Sequence, residues 1–145
     1  MTETIKQSVV ASVSHQHSAS STEDSTYELA MLAAEAADER KGGDIALLKV
    51  GEVSVIADYF VIVTGFSKVQ VRAIAAAIEE KVEEALHRAP RPISGQAEGV
   101  WICMDYGDVI VHIQMPDERD YYNLEAFWGH AERIPYIPKV PLAVS

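Results

Sequence analysis

Residues 58–64 read DYFVIVT. Successive side chains of a strand point to opposite faces, so a strand apolar at consecutive positions must be covered on both sides. Its aromatic, Val, Ile and Thr content suits strand geometry. This stretch predicts a central strand of a layered fold, and the flanking sequence supplies the layers. After Gly65-Phe66, Ser67 can cap a helix N-terminus and Gln70 can complete a capping box. Val71, Ile74, Ala75, Ile78, Val82, Ala85 and Leu86 then form one helical stripe. Glu79, Glu80, Lys81, Glu83 and Glu84 make the solvated face. Ahead of the central strand, Ser25 and Glu28 fit a second capping box. Leu29, Leu32, Ala33 and Ala36 mark a helical face that runs to Gly42-Gly43, with Arg40 and Lys41 at its C-terminal end. Residues 44–50 read as a first strand, and residues 51–57 as a connection.

A hairpin follows a Pro- and Gly-bearing loop over residues 88–99, which has room for a short strand near Ile93. Trp101 to Tyr106 and Val109 to Gln114 are its strands. Asp105-Tyr106-Gly107-Asp108 makes the turn, with Gly107 free to take a positive φ. Val109, Val111 and Ile113 share an apolar back. The front is mixed and carries Trp101, Asp105, Asp108 and His112. Pro116 stops the strand, and Asp117 and Glu118 open a last helix. Tyr121, Leu124, Phe127 and Trp128 recur at helical spacing and are expected to pack that helix on the sheet. Helices covering a mixed sheet in this order give an α+β class with α/β-type layers.

Length bounds the chain to one domain with tails: residues 1–24 a disordered Ser-rich tail, 25–134 the domain, and 135–145 a Pro-rich extended tail. The formal net charge is −10. That disfavours nucleic acid as the main contact and suits either a basic protein partner or solubility alone. Cys103 is the only cysteine, which rules out an internal disulfide and fits a reducing, cytoplasmic compartment. No apolar run is long enough to span a bilayer. The Ser-rich start has some transit-peptide character, which would place the chain in an organelle, yet it holds no Arg before Arg40. His15 and His17 are expected to be solvent-exposed bystanders.

Thr64-Gly65-Phe66-Ser67 has the form of a turn that offers backbone N–H groups to phosphate. Nucleotidyltransferases use such a turn together with closely spaced carboxylates for magnesium. No D-x-D or D-x-E follows Ser67. Asp105 and Asp108, the only acidic pair near a strand end, sit in the hairpin turn. Read from chemistry alone, a binding module ranks above an enzyme, and no metal or cofactor is called for. A nucleotide-binding enzyme and a generic dimerisation adaptor remain the alternatives.

Three stretches together resemble the ribosomal silencing factor family, also called Iojap-like. The first is Ala57-Asp58-Tyr59-Phe60-Val61-Ile62-Val63-Thr64-Gly65, with Ser67, Gln70, Val71, Arg72 and Ala73. The second is Trp101 with Asp105-Tyr106-Gly107-Asp108-Val109-Ile110-Val111-His112. The third is Arg119, Tyr121, Tyr122, Leu124, Glu125 and Trp128. The resemblance implies a small domain with nucleotidyltransferase-like topology but without the catalytic carboxylates. It implies a non-enzymatic factor that binds the large ribosomal subunit at protein L-fourteen, blocks subunit joining when nutrients are short, and can form homodimers. On that reading Trp101, Asp105, Tyr106, Asp108 and His112 are the candidate contact set. Trp101 is the anchor and the carboxylates are steering charges. Tyr121, Tyr122 and Trp128 are assigned to the core.

Overall fold

The computed structural model describes residues 23–139. Within them the chain runs through α1 (residues 23–39), β1 (Gly43–Lys49), β2 (Tyr59–Thr64), α2 (Lys68–Leu86), β3 (Ile93–Ser94), β4 (Trp101–Asp105), β5 (Val109–Gln114), α3 (Pro116–Tyr122), α4 (Leu124–Phe127) and β6 (Glu132–Ile134). The strands form one six-stranded sheet in the order β3-β4-β5-β2-β1-β6. β2 sits in its interior and is buried at every position, as its sequence requires. It pairs in parallel with β5 and antiparallel with β1. The class is α+β, as expected.

Each face of the sheet has its own core. On the back, Leu47, Val61, Val63, Met104, Val111 and Ile113 pack against α1 and α2. α1 contributes a run of buried alanines at 30, 33, 34, 36 and 37, so its backbone lies close to the sheet. On the front, Ala46, Leu48, Phe60, Ile62 and Ile110 form a smaller core, closed by Leu124, Trp128 and Ala131. The back is covered by long helices, the front only by the short α3 and α4.

Several local expectations hold. Ser67 caps α2, its hydroxyl accepting from the Gln70 N–H at 3.0 Å, while the Gln70 side chain accepts from the Phe66 N–H at 2.7 Å. Gly107 takes a positive φ in the hairpin turn. Others are corrected. α1 already includes residues 23 and 24, so Ser25 lies inside it and is not its cap. Its C-terminal left-handed residue is Lys41, with Gly42 N–H bonded to Ala37 C=O at 2.8 Å. Gly42 serves close approach instead: a Cβ there would stand 2.6 Å from Val63 Cγ1. Ala85 is exposed, one step off the buried stripe of α2.

The C-terminal part departs furthest from expectation. The single last helix is two short ones, broken at Asn123 with φ 45°. β6 is an addition to the expected strands; it pairs with β1 at the sheet edge. Beyond it, Tyr136 Oη and the Lys139 backbone N–H both donate to Asp38 on α1, at 3.0 and 2.7 Å. The expected N-terminal tail, His15 and His17 included, falls outside the described residues except for its last two positions, and so do residues 140–145.

Candidate functional site: an aromatic face on the thinly covered side

Strand register decides which side chains meet. Trp101 faces Gln114 across the β4–β5 ladder, Cys103 faces His112, and Asp105 faces Ile110. Directly paired residues share a face, so these six lie on the front. Trp101 is half-buried, and its indole Nε1–H donates to His112 Nδ1 at 3.1 Å. That bond fixes the neutral imidazole with its proton on Nε2. Burial pushes the His112 pKa down to about 4. Burial, and then the Asp105 carboxylate, push the Cys103 thiol up, so it is no activated nucleophile.

The rings continue on either side of this pair. Phe127, Trp128, Phe60, His112, Trp101, Tyr122 and Tyr121 follow one another with centroids 4.7–5.8 Å apart. Phe60 and His112 are the buried floor, while Tyr121 is 82% exposed and Phe127 75%. Tyr121, Tyr122 and Phe127 therefore do not belong to the core, contrary to the expectation from their spacing. The break at Asn123 turns the chain before a continuous apolar stripe can form. Trp128 is packed as expected, edge-on to Phe60.

α3 is held on the sheet by Arg119. Its guanidinium donates to Glu125 Oε1, Thr64 Oγ1 and the Asp44 carbonyl at 2.7–2.9 Å. Glu125 also pairs with Arg133 of β6. Below α3 lies Gln114, fully buried, with both side-chain polar atoms unpartnered.

The five candidate contact residues divide. Trp101 and His112 sit together at the centre of the aromatic face. Asp105 lies at its edge and accepts from the Gly107 N–H at 2.7 Å. Tyr106 belongs to the back core, only 6% exposed, because an even step from Met104 returns it to that side. Asp108 is not on the front either. Its carboxylate is held by Arg88 Nη2 and Nη1 at 2.8 and 3.0 Å and by the Thr26 hydroxyl at 2.7 Å. Burial would raise its pKa, but the bonds from Arg88 and Thr26 outweigh that and hold it below the ordinary carboxylate range. Asp108 ties the hairpin turn to α1 and to the end of α2.

Sequence reasoning passed over Glu98 and read Glu118 only as opening the last helix. With Val100, Trp101, Cys103 and Tyr122 they line an open cleft of about 520 Å³ between the β3–β4 loop and α3. The signal was an acidic residue set between Gly95 and Gly99 just ahead of Trp101. Both glycines have positive φ, and a Cβ on Gly95 would stand 1.9 Å from the Trp101 carbonyl oxygen.

The phosphate-binding alternative finds no cluster. Ser67 follows the Thr64 end of β2, whereas Asp105 and Asp108 lie near the Tyr59 end, since Thr64 pairs with Gln114 and Tyr59 with Val109. Thr64 Oγ1 is taken by Arg119. Among the described residues no three His, Cys, Asp or Glu side chains gather as metal ligands, and no helix is long and apolar enough to cross a membrane.

Comparison with known proteins agrees with this architecture. Residues 23–143 match the family described as Ribosomal silencing factor during starvation. Ribosomal silencing factor RsfS of Bacillus subtilis is 42% identical over 100 residues, covering 69% of this chain and 84% of the relative. The chloroplastic Protein Iojap of Zea mays is 37% identical over 102 residues, 70% of this chain and 43% of its own. Mitochondrial assembly of ribosomal large subunit protein 1 of Mus musculus is 31% identical over 90 residues, 59% of this chain and 38% of its own. A crystal structure of a protein from Chromobacterium violaceum superposes with a TM-score of 0.69 at 35% identity, covering 81% of this chain and 95% of that one. This chain belongs to the ribosomal silencing factor family, which also takes in Iojap.

Proposed function

We propose that this protein binds the large ribosomal subunit through the aromatic face, with ribosomal protein L-fourteen as the partner, and that in this position it blocks joining of the small subunit and lowers translation. It acts as a binding factor without catalysis, in whichever compartment holds the ribosomes. The observation that carries this reading is the half-buried Trp101, with exposed Tyr122 and Tyr121 on one side of it and exposed Phe127 at the far end of the ring series, on the side that helices cover least. Large aromatics on rigid elements are what interface hot spots are made of. The net charge of −10 suits a basic ribosomal protein. The name of the mouse relative, which speaks of large-subunit assembly, points to the same particle.

The test is sedimentation of the protein with purified large subunits, followed by a subunit-joining assay. Trp101→Ala should weaken binding by about 2 kcal/mol and relieve the block on joining, while circular dichroism shows an intact fold. Binding and joining unchanged in a folded Trp101→Ala variant would remove the aromatic face from the interface.

A further inference from the structure

The cleft beside Trp101 has properties that a merely solvated acidic rim lacks. Its floor is a pair of rings, Trp101 and Tyr122, with centroids 4.7 Å apart and planes tilted by 48°. Its two carboxylates stand on opposite walls, Glu98 on the loop and Glu118 on α3. Neither makes a hydrogen bond or ion pair within the described residues. Among the described residues the fold's own cations take up only four carboxylates, Asp108 with Arg88, Glu125 with Arg119 and Arg133, Glu39 with Lys81 and Glu35 with Lys139, and Glu98 and Glu118 are among those left over. The nearest cation to the loop, Arg72, is already used. Its Nε and Nη2 donate to the Gln96 and Ala97 carbonyls at 3.0 and 2.8 Å.

Those same bonds hold the wall in place. Arg72 and the Gly99 N–H bond to the Gly95 carbonyl, 2.9 Å, fix the loop that carries Glu98. Arg119 fixes the helix that carries Glu118. An adjoining hollow at α3, which shares Glu118 and Tyr122 with the cleft and is otherwise lined by Asp117, Asp120 and Tyr121, adds two carboxylates and no basic side chain.

Resting on the reading that this face meets a basic ribosomal protein, we propose that the cleft seats one arginine side chain of that partner. Its guanidinium stacks on Trp101 and Tyr122 and is held by Glu98 and Glu118. A planar guanidinium can stack flat on an aromatic ring while its in-plane N–H groups reach carboxylates on two sides; an ammonium, a compact and more strongly hydrated point charge, lacks that planar fork and fits the arrangement less well. The charged part of the contact thus moves from the hairpin turn, where Asp108 is already paired, to the cleft.

Two measurements test this. In the first, Glu98→Gln, Glu118→Gln, the double variant and Asp105→Asn are assayed for binding to purified large subunits at two salt concentrations. The double variant should lose affinity by about tenfold, with a shallower salt dependence, and Asp105→Asn should lose little. A double variant that binds like wild type overturns the arginine cleft. If Trp101→Ala still weakens binding in that case, the aromatic-face reading survives. In the second, the indole N–H resonance of Trp101, assigned by its loss in Trp101→Phe, is followed during titration with a short arginine-containing peptide. It should shift with arginine, less with a lysine peptide, and not at all in the double variant. No shift with the arginine peptide overturns the proposal. A shift in a protein that fails to bind large subunits upholds the cleft and overturns the ribosomal partner.

Discussion

His112 shows how one side chain serves both packing and surface. It accepts the Trp101 indole hydrogen on Nδ1 while its Nε2 is buried without a partner. Only the neutral imidazole can accept that bond. Its pKa is near 4 in the folded chain against an ordinary 6.5. Between those values the unfolded chain binds a proton that the folded chain refuses, so stability falls as pH drops from 6.5 towards 4. The contribution at stake is about 3 kcal/mol. Urea unfolding at pH 7 and pH 4.5 should show a larger fall for wild type than for His112→Gln, which has no proton to take up. Equal falls would mean that another group carries the dependence. Tyr106 gives the opposite lesson. Its hydroxyl is buried with no hydrogen-bond partner, so desolvation is uncompensated. Tyr106→Phe should be neutral or up to about 1 kcal/mol more stable in urea, with large-subunit binding unchanged. A loss of binding with stability intact would return Tyr106 to the interface.

At the scale of elements, α3 has no buried residue of its own. Its position depends on Arg119, whose side chain is 10% exposed and makes three separate hydrogen bonds. Arg119→Ala removes them together and should cost about 3 kcal/mol. Arg119→Lys keeps the charge but not the fork and should cost about 2 kcal/mol. In both variants amide exchange of α3 should accelerate ahead of β2. Unchanged protection in α3 would show that Leu124 and Trp128 suffice to dock it. β2, α2 and the β4–β5 hairpin were legible because one strong local signal defines each: an unbroken apolar run, a capped stripe, a Gly turn between alternating strands. α3 and α4 read as one helix because helical spacing of aromatics is the same whether the rings are buried or displayed. The left-handed Asn123 that separates the two cases carries little sequence signal. β6 is only three residues long, and it forms because the edge of β1 needs a partner, which is a tertiary cause. The same limit applies to the site. Trp101 and His112 could be placed on one face by alternation, but Asp108 pairs with Arg88 across a distance that periodicity does not see.

On the scale of the molecule, the sheet is thick on one side and thin on the other, and the chain uses its two termini differently around it. α1 closes the back core with buried alanines, which leave little apolar area per residue to hold it down. The segment after β6 then crosses α1 from outside. Asp38, 5% exposed, accepts from Tyr136 Oη and the Lys139 N–H, and Lys139 Nζ reaches Glu35 at 3.1 Å. Burial, reinforced by the bond to Asp38, raises the Tyr136 pKa, so the phenol stays a donor throughout the physiological range. Tyr136 and Lys139 of the Pro-rich segment are thus bonded to α1. Deleting residues 135–145 should lower stability by about 2 kcal/mol, since two hydrogen bonds to a buried carboxylate are lost. Tyr136→Phe should account for about 1 kcal/mol of that. The loss should act on α1 and leave the aromatic face intact, because the hydrogen bonds of Tyr136 and Lys139 go to Asp38 and Glu35 of α1 on the other side of the sheet. Urea unfolding of the truncated chain, beside its binding to large subunits below the transition, checks both halves. A truncated chain as stable as wild type would show that the Asp38 contacts are replaced by water at no cost. One that is stable but no longer binds would place residues 135–145 in the interface instead of in the support of α1.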